Sequence, residues 1–194
     1  MKSMRERKQL RLKDYDYAQP GAYFVTICTK DRVYRFGEIV DGQMNENDLA
    51  VIVRTCWNDL PNHYLNVQLD EFVIMPNHVH GIIVIVDEPN TVGDGHRPSP
   101  TKKHPLSEIV RAFKSFSARR INEINGTPGA SFWQRGYYDH IIRNDLSLTR
   151  IREYIANNPQ RWGTDRENFA FEGNDELEDW MASNGTNHFQ DATR

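Results

Sequence analysis

Residues 67–86 read Val67-Gln-Leu-Asp-Glu-Phe-Val-Ile-Met75, then Pro76-Asn77, then His78-Val-His-Gly-Ile-Ile-Val-Ile-Val86. Both apolar runs are rich in β-branched and aromatic residues, which is typical of strands. The Pro-Asn pair between them is a tight-turn signal. The sequence therefore predicts an antiparallel hairpin whose second strand begins with a histidine.

Further strands and helices are predicted on both sides of this hairpin. Apolar runs with flanking Gly, Pro, Asn and Asp residues mark their ends. The predicted elements are a strand over Ala22–Cys28, a helix over Leu49–Leu60 capped by Asn47 or Asp48 and ended by Pro61, a helix over Leu106–Ile124, a strand over Tyr137–Ile142, and a helix from Asn144 or Asp145 to Asn158 that Pro159 ends.

The resulting order is strand, helix, strand, strand, helix, strand, with one helix added at the end. This order is that of an α+β, ferredoxin-like βαββαβ split sandwich, in which an antiparallel sheet carries helices on one face. We divide the chain into a basic segment (1–20), a domain (21–162) and an acidic peripheral tail (163–194). Residues 87–105 contain four prolines and are predicted to be a flexible loop.

Composition excludes several classes of protein. The chain has 194 residues and a net charge of −3, and its apolar runs are all shorter than a membrane span. Two cysteines form neither a disulfide framework nor a zinc site, so a reducing cytoplasm is the expected compartment. Residues 165–194 carry eight acidic and two basic side chains, a net charge of −6, which leaves +3 on residues 1–164.

His78 and His80 are two residues apart at the start of a predicted strand. Side chains at that spacing share one face of a strand, so both imidazoles can bind one cation. Two histidines leave coordination positions open, which suits Mg²⁺ or Mn²⁺ holding phosphate oxygens. Two solvated histidines at a strand end are the alternative.

Tyr154 and Asn158 are one turn apart on the last predicted helix, at the edge of its apolar stripe. The phenol could act as a nucleophile and the Asn158 amide oxygen as a third metal ligand. Tyr137 and Tyr138 are competing nucleophiles, and a boundary tyrosine beside a helix-terminal asparagine is the structural alternative.

Two basic runs, residues 1–13 and 102–120, each carry an excess of five positive charges. Runs of this kind favour phosphate binding when they flank a metal site, although many are simply solvated. Trp133 could stack on an unpaired base, with core packing as the alternative. The candidate DNA-binding residues are Arg5, Arg7, Lys8, Arg11, Lys13, Arg111, Lys114, Trp133 and Arg143.

Taken together, these segments resemble the REP-associated tyrosine transposases, a branch of the single-tyrosine HUH transposases. The resemblance extends over about Arg5 to Trp162, and four stretches carry it: Tyr15–Thr29, Met75–Gly81, Phe132–His140 and Arg152–Pro159.

The resemblance implies metal-dependent, sequence-specific cleavage and transfer of single-stranded hairpin DNA through a 5′-phosphotyrosine. It assigns metal binding to His78 and His80 and nucleophilic attack to Tyr154, and it places Asn158 where related transposases have a glutamine ligand. It also implies a bacterial, nucleoid-associated enzyme, as a homodimer or a monomer, whose N-terminal segment reads a guide sequence at the foot of the hairpin.

Two other functions remain open at this level. A non-covalent metal nuclease would use water as its nucleophile, and a domesticated hairpin-binding protein would have little catalytic activity. For the transposase, the acidic tail is expected to weaken non-specific DNA binding by occupying the basic groove or by repelling DNA from it.

Overall fold

The computed structural model describes residues 15–87, 103–171, 173 and 176–185. No helix in these ranges is long and apolar enough to cross a bilayer. The strands are β1 (Gly21–Cys28), β2 (Gly37–Val40), β3 (Gln43–Glu46), β4 (Val67–Met75), β5 (His78–Ile85) and β6 (Tyr138–Ile142). The helices are α1 (Asp48–Asn58), α2 (Leu60–His63), α3 (Leu106–Asn125), α4 (Asp145–Asn157) and α5 (Glu176–Gly185), with short 3₁₀ turns at Lys30–Arg32 and Pro159–Thr164.

The central sheet has four strands in the order β4-β5-β1-β6, and every neighbouring pair is antiparallel. This is the strand order of the predicted ferredoxin-like βαββαβ arrangement. The β4–β5 hairpin has the predicted boundaries at its turn, and His78 opens β5. Cys28 lies opposite His78, and Thr26 lies opposite His80. The α+β prediction is therefore confirmed.

Helices pack on both faces of this sheet, because successive strand residues point to opposite sides. Helices α1 and α3 cover one face, where Trp57 and Phe113 belong to the larger apolar core. Helix α4 covers the other face through Ile151 and Ile155, which pack with Phe24 of β1. The prediction of helices on one face therefore holds for α1 and α3, while the added helix α4 packs opposite them.

Gly81 shows how closely α1 approaches the sheet next to the histidines. A Cβ atom at this position would lie 2.5 Å from the ring of Trp57 and 3.0 Å from the ring of Phe72. Trp57 and Phe72 are themselves stacked, with ring centroids 4.5 Å apart. A residue without a side chain is therefore needed directly after His80.

The sequence analysis missed a second hairpin, β2–β3. Its turn is Asp41-Gly42, with φ of 51° and 72°, and an Asp-Gly pair between short strands is a strong hairpin signal. The role of Pro61 was also predicted wrongly. Helix α1 ends at Asn58, and Pro61 lies in the first turn of α2, where its missing N–H costs no hydrogen bond. Most of the predicted loop 87–105 lies outside the described residues.

Candidate active site

The two histidines of β5 meet on the face of the sheet that α4 covers. His78 and His80 are 0% and 3% exposed, and their Nε2 atoms are 2.9 Å apart. Phe24, from the neighbouring strand β1, stacks on the His80 ring with a centroid separation of 5.3 Å. The predicted pairing of two imidazoles on one strand face is therefore present, in a buried setting.

Hydrogen bonds at the Nδ1 atoms orient both rings. The Asn77 Oδ1 atom is 2.8 Å from His78 Nδ1, and the Asn77 Nδ2 atom donates to the backbone oxygens of Arg32 and Glu167. Since the Asn77 oxygen can only accept, His78 Nδ1 carries the proton and its Nε2 atom is free to bind a cation. The Thr26 hydroxyl lies 2.8 Å from His80 Nδ1, and this second hydrogen bond orients the His80 ring.

Asp165 is the third ionisable group of the site, and the sequence analysis did not find it. Its Oδ2 atom lies 3.6 Å from His78 Nε2 and 3.9 Å from His80 Nε2, and the residue is 3% exposed. The Oδ1 atom accepts a 2.6 Å hydrogen bond from the Glu167 amide. It is one of eight acidic residues after position 164, so nothing in its local sequence distinguishes it.

Burial and charge shift the pKa values of this cluster. Burial, reinforced by the neighbouring His80, lowers the pKa of His78 to about 3, so His78 is neutral at physiological pH. Burial alone would raise the pKa of the Asp165 carboxyl, but the facing histidines and the Glu167 amide hold its pKa below the ordinary value. The cluster thus presents two imidazoles and a carboxylate.

The three residues fit a divalent cation. One potential ligand atom from each of His78, His80 and Asp165 lies within 4.8 Å of the others. The Asp165 Oδ2 atom is buried and has no hydrogen-bond partner among the described residues, which is unusual for a carboxylate oxygen unless something binds it. Two nitrogens and one oxygen are ligands that Mn²⁺ and similar cations accept, with positions left for phosphate oxygens.

Asn158, predicted as the third ligand, is 1% exposed and follows the last residue of α4. Its Oδ1 atom is also buried without a hydrogen-bond partner in the described part of the chain. It is not among the residues that line the cavity beside His80. Its ligand role remains a prediction, and Asp165 is the group that lies against the histidine nitrogens.

Tyr154 reaches the same site from α4. The predicted Asn144 cap is present, since its side chain accepts a 2.8 Å hydrogen bond from the Ser147 amide. Ile151 and Ile155 bury one side of the helix, which turns the Tyr154 ring toward His80 with centroids 5.4 Å apart. The tyrosine and the histidines of one chain are therefore neighbours.

Tyr138 lines the same small cavity as Tyr154, His80 and Asp165, whereas its neighbour Tyr137 packs against the larger core on the opposite face. Strand alternation separates the two tyrosines of β6 in this way. Two phenols, Tyr138 and Tyr154, are thus placed at the site.

Helix α5 forms part of the wall of this cavity, which has a volume of about 20 Å³, enough for about one water molecule. Leu177 and Met181, one turn apart, line it and are 4% and 3% exposed. The prediction that residues 163–194 form a peripheral tail is therefore wrong for Asp165, Leu177 and Met181. The apolar pair was hidden among acidic residues, whose number suggested a solvated segment.

The predicted DNA-binding residues lie in different environments. Arg5, Arg7, Lys8, Arg11 and Lys13 lie outside the described residues. Arg111 and Arg143 are exposed, as phosphate binding requires. Trp133 is 5% exposed, packs with Phe36 and Phe113, and donates to the Ser117 hydroxyl, which is the core packing given above as the alternative to base stacking.

Known proteins share both sequence and fold with this chain. The family described as "Transposase IS200 like" matches residues 99–158, which include Tyr154 and Asn158. An uncharacterised protein of Haemophilus influenzae is 41% identical over 170 residues, covering 82% of this chain and 92% of the relative. A second H. influenzae protein, provisionally named a REP-associated tyrosine transposase, is 24% identical over 148 residues, covering 76% of this chain and 75% of the relative.

One solved structure, described as a REP-associated tyrosine transposase bound to a REP hairpin, superimposes with a TM-score of 0.52. The match covers 80% of this chain and 76% of that one at 17% sequence identity, so it shows a shared fold. The family match and the second H. influenzae relative point to the same kind of protein through sequence. The chain therefore belongs to the IS200-like transposase family and is related to the REP-associated tyrosine transposases.

Proposed function

We propose that this transposase cuts and rejoins single-stranded DNA beside a hairpin, through a covalent 5′-phosphotyrosine on Tyr154. The observation that carries the proposal is the position of the Tyr154 ring, 5.4 Å from the His80 ring of the same chain. A REP hairpin is bound in the structural relative, which makes hairpin DNA the substrate to test first.

His78, His80 and Asp165 would hold Mg²⁺ or Mn²⁺. Two observations support this: the Asp165 Oδ2 atom has no hydrogen-bond partner among the described residues, and the His78 Nε2 atom carries no proton. Such a cation, when bound, neutralises charge on the phosphodiester as it is attacked. Asn77 and Thr26 keep the imidazole nitrogens directed into the site. These contacts reduce the rearrangement that binding would otherwise require.

The reaction forms one bond and breaks one bond. The Tyr154 oxygen loses its proton to solvent and bonds to phosphorus, and the bond between phosphorus and the 3′ oxygen breaks. The leaving 3′ oxygen takes up a proton from solvent and becomes a 3′-hydroxyl, while the 5′ phosphate stays on Tyr154. The reverse attack by another 3′-hydroxyl rejoins the DNA without an external energy source. A phenol has an ordinary pKa of about 10 and is a weak nucleophile at neutral pH, so the reaction requires a phosphate whose charge a bound cation would neutralise.

The placement of Tyr154 beside its own His80 supports reaction within one chain, so a homodimer is not required. The basic N-terminal residues Arg5 to Lys13 are proposed to bind the hairpin foot, and the exposed Arg143 is proposed to bind phosphate. Single-stranded DNA is the expected substrate because opening a duplex costs a few kcal/mol.

The deciding experiment incubates the protein with labelled hairpin oligonucleotides and Mn²⁺ or Mg²⁺, followed by denaturing electrophoresis. We expect a covalent adduct with the wild type and with Tyr138→Phe, and none with Tyr154→Phe. Tyr138 is a matched control because it lines the same cavity. Loss of the adduct in Tyr138→Phe, with the adduct retained in Tyr154→Phe, would assign the nucleophile to Tyr138 of β6.

The same experiment separates the two alternatives. Cleavage by Tyr154→Phe without an adduct would indicate a metal nuclease that uses water. Hairpin binding with no product at any metal concentration, from the wild type, would indicate a domesticated binding protein.

A further inference from the structure

A groove of about 430 Å³ lies between α3 and residues 130–137, on the face of the sheet opposite the histidines. Three positively charged side chains line it, and none of its lining residues is acidic: Arg111, Lys114 and Arg135. Three serine hydroxyls, which can donate hydrogen bonds to phosphate oxygens, share the lining: Ser107, Ser115 and Ser131. The groove therefore has the chemistry of a site for a polyanion.

The two arginines are available to a ligand. Arg111 and Arg135 are both exposed, and neither forms an ion pair or a side-chain hydrogen bond with any residue that the structure describes. A guanidinium group binds phosphate through paired hydrogen bonds and stacks on bases. These groups supply charge complementarity to nucleic acid at the rim.

Lys114 has a structural task in the groove, and its role in DNA binding remains a prediction. Its Nζ atom donates to the backbone oxygens of Gln134, Arg135 and Gly136 at 2.5, 3.4 and 3.0 Å. Burial lowers the pKa of this ammonium group. Lys114 thus ties one wall of the groove to α3 and holds its shape.

The groove lies directly behind the candidate active site across the edge strand β6. Tyr137 lines the groove, and the next residue, Tyr138, lines the cavity that contains Tyr154. Tyr138 of β6 lies opposite Thr26 of β1, and Thr26 lies opposite His80 of β5. The backbones of Tyr138 and His80 are therefore two strand separations apart, about 10 Å. A chain that leaves the active site over β6 reaches the groove within a short distance.

We infer that the groove holds single-stranded DNA that flanks the scissile phosphate, with Arg111 and Arg135 on its backbone. The inference rests on the proposed function for the identity of the polymer. A single strand suits the site because apolar side chains, Val110 and Ala118 among them, line the groove beside its charged residues. Flexible backbone can follow such a surface, whereas a duplex would contact only the rim.

The test measures DNA binding in a Tyr154→Phe background, so that no chemistry is needed. One oligonucleotide is a hairpin with a single-stranded flank, and the other is the same hairpin without it. We expect Arg111→Gln with Arg135→Gln to weaken binding of the flanked hairpin at least tenfold and to reduce the slope of log K against log salt by about 1.4, since each phosphate contact on a single strand contributes ~0.7. Binding of the unflanked hairpin should be unchanged.

Arg119→Gln is the matched control, because Arg119 is an exposed arginine of α3 that does not line the groove. It should leave both affinities unchanged. If the double arginine variant loses affinity equally for both oligonucleotides, the groove binds the hairpin stem. If it loses affinity for neither, the groove does not bind DNA. Either result overturns the inference. If binding depends on the flank as expected but the wild-type protein forms no adduct with the same oligonucleotide, only the proposed chemistry is contradicted.

Discussion

The Asn77 side-chain amide donates to the backbone oxygen of Glu167, 2.7 Å away and 90 positions further along the chain. The oxygen of the same side chain accepts from His78. One buried residue in the hairpin turn therefore connects the strand that carries the histidines to the segment that carries Asp165. The two halves of the candidate metal site are positioned relative to each other by this contact.

Asn77→Ala is expected to weaken Mn²⁺ binding by tenfold or more, because changes in groups that orient metal ligands typically cost 10–100-fold in affinity. Isothermal titration calorimetry on the folded protein would measure it. Asn62→Ala, an exposed asparagine whose amide bonds to Asp59, should leave the affinity unchanged. A variant that folds, with unaltered Mn²⁺ affinity, would show that Asn77 only stabilises the turn.

Asp165→Asn should reduce both Mn²⁺ affinity and adduct formation by at least tenfold. The substitution retains the shape of the side chain but removes the carboxylate that faces both histidines. A thermal melt with and without Mn²⁺ measures the effect, since a cation that binds only the folded state raises the midpoint. Asp179→Asn, on an exposed residue of α5, should preserve the full midpoint shift.

If Asp165→Asn keeps the shift and Asn158→Ala abolishes it, the third ligand is the asparagine that the sequence analysis named.

Met181→Ala is expected to speed cleavage, because Met181 lines the small cavity beside Tyr154 and a smaller side chain would leave more room there for DNA. It should also lower the free energy of unfolding by about 2 kcal/mol or more, since it removes a buried side chain. Cleavage rates and urea unfolding would be measured in parallel. Asp179→Asn should change neither, because this acid is exposed.

If Asp179→Asn speeds cleavage and Met181→Ala does not, the C-terminal segment acts on DNA through its negative charge, as the sequence analysis predicted.

Acid should destabilise the metal-free protein between pH 6.5 and about 4. Burial, with a smaller effect from Arg143, lowers the pKa of His140 to about 4, below the 6.5 of an exposed histidine. The unfolded chain therefore binds more protons in this window, and the stability present above pH 6.5 is lost as pH falls. His140 contributes at most about 2 kcal/mol of the loss between pH 7 and pH 5.

Urea unfolding in EDTA at pH 7 and pH 5 would measure the decrease in the free energy of unfolding. This decrease should be smaller in His140→Gln than in the wild type. His78, whose pKa is about 3, should continue to destabilise the variant toward lower pH. Identical pH dependence in the wild type and His140→Gln would mean that His140 titrates normally in the folded state.

Local sequence patterns predicted most of the fold. The β4–β5 hairpin follows from two β-rich runs around Pro76-Asn77, and α4 follows from its apolar spacing and its Asn144 cap. The β2–β3 hairpin was also encoded locally, by Asp41-Gly42, and the analysis overlooked it. These features depend on residues close together in the chain, so backbone preference and periodicity are enough to find them.

The sequence by itself determined the order of the main strands and helices along the chain, the shared face of His78 and His80, and a helix that presents Tyr154, because each depends on local pattern and periodicity within single elements. Only the tertiary structure decided that α4 lies across the sheet from α1 and α3 and that Trp133 is buried. It also decided that Asp165 and Met181 lie at the same cavity as His80. These contacts join residues far apart in sequence. Their formation depends on which surfaces bury each other, and neither composition nor local spacing records that.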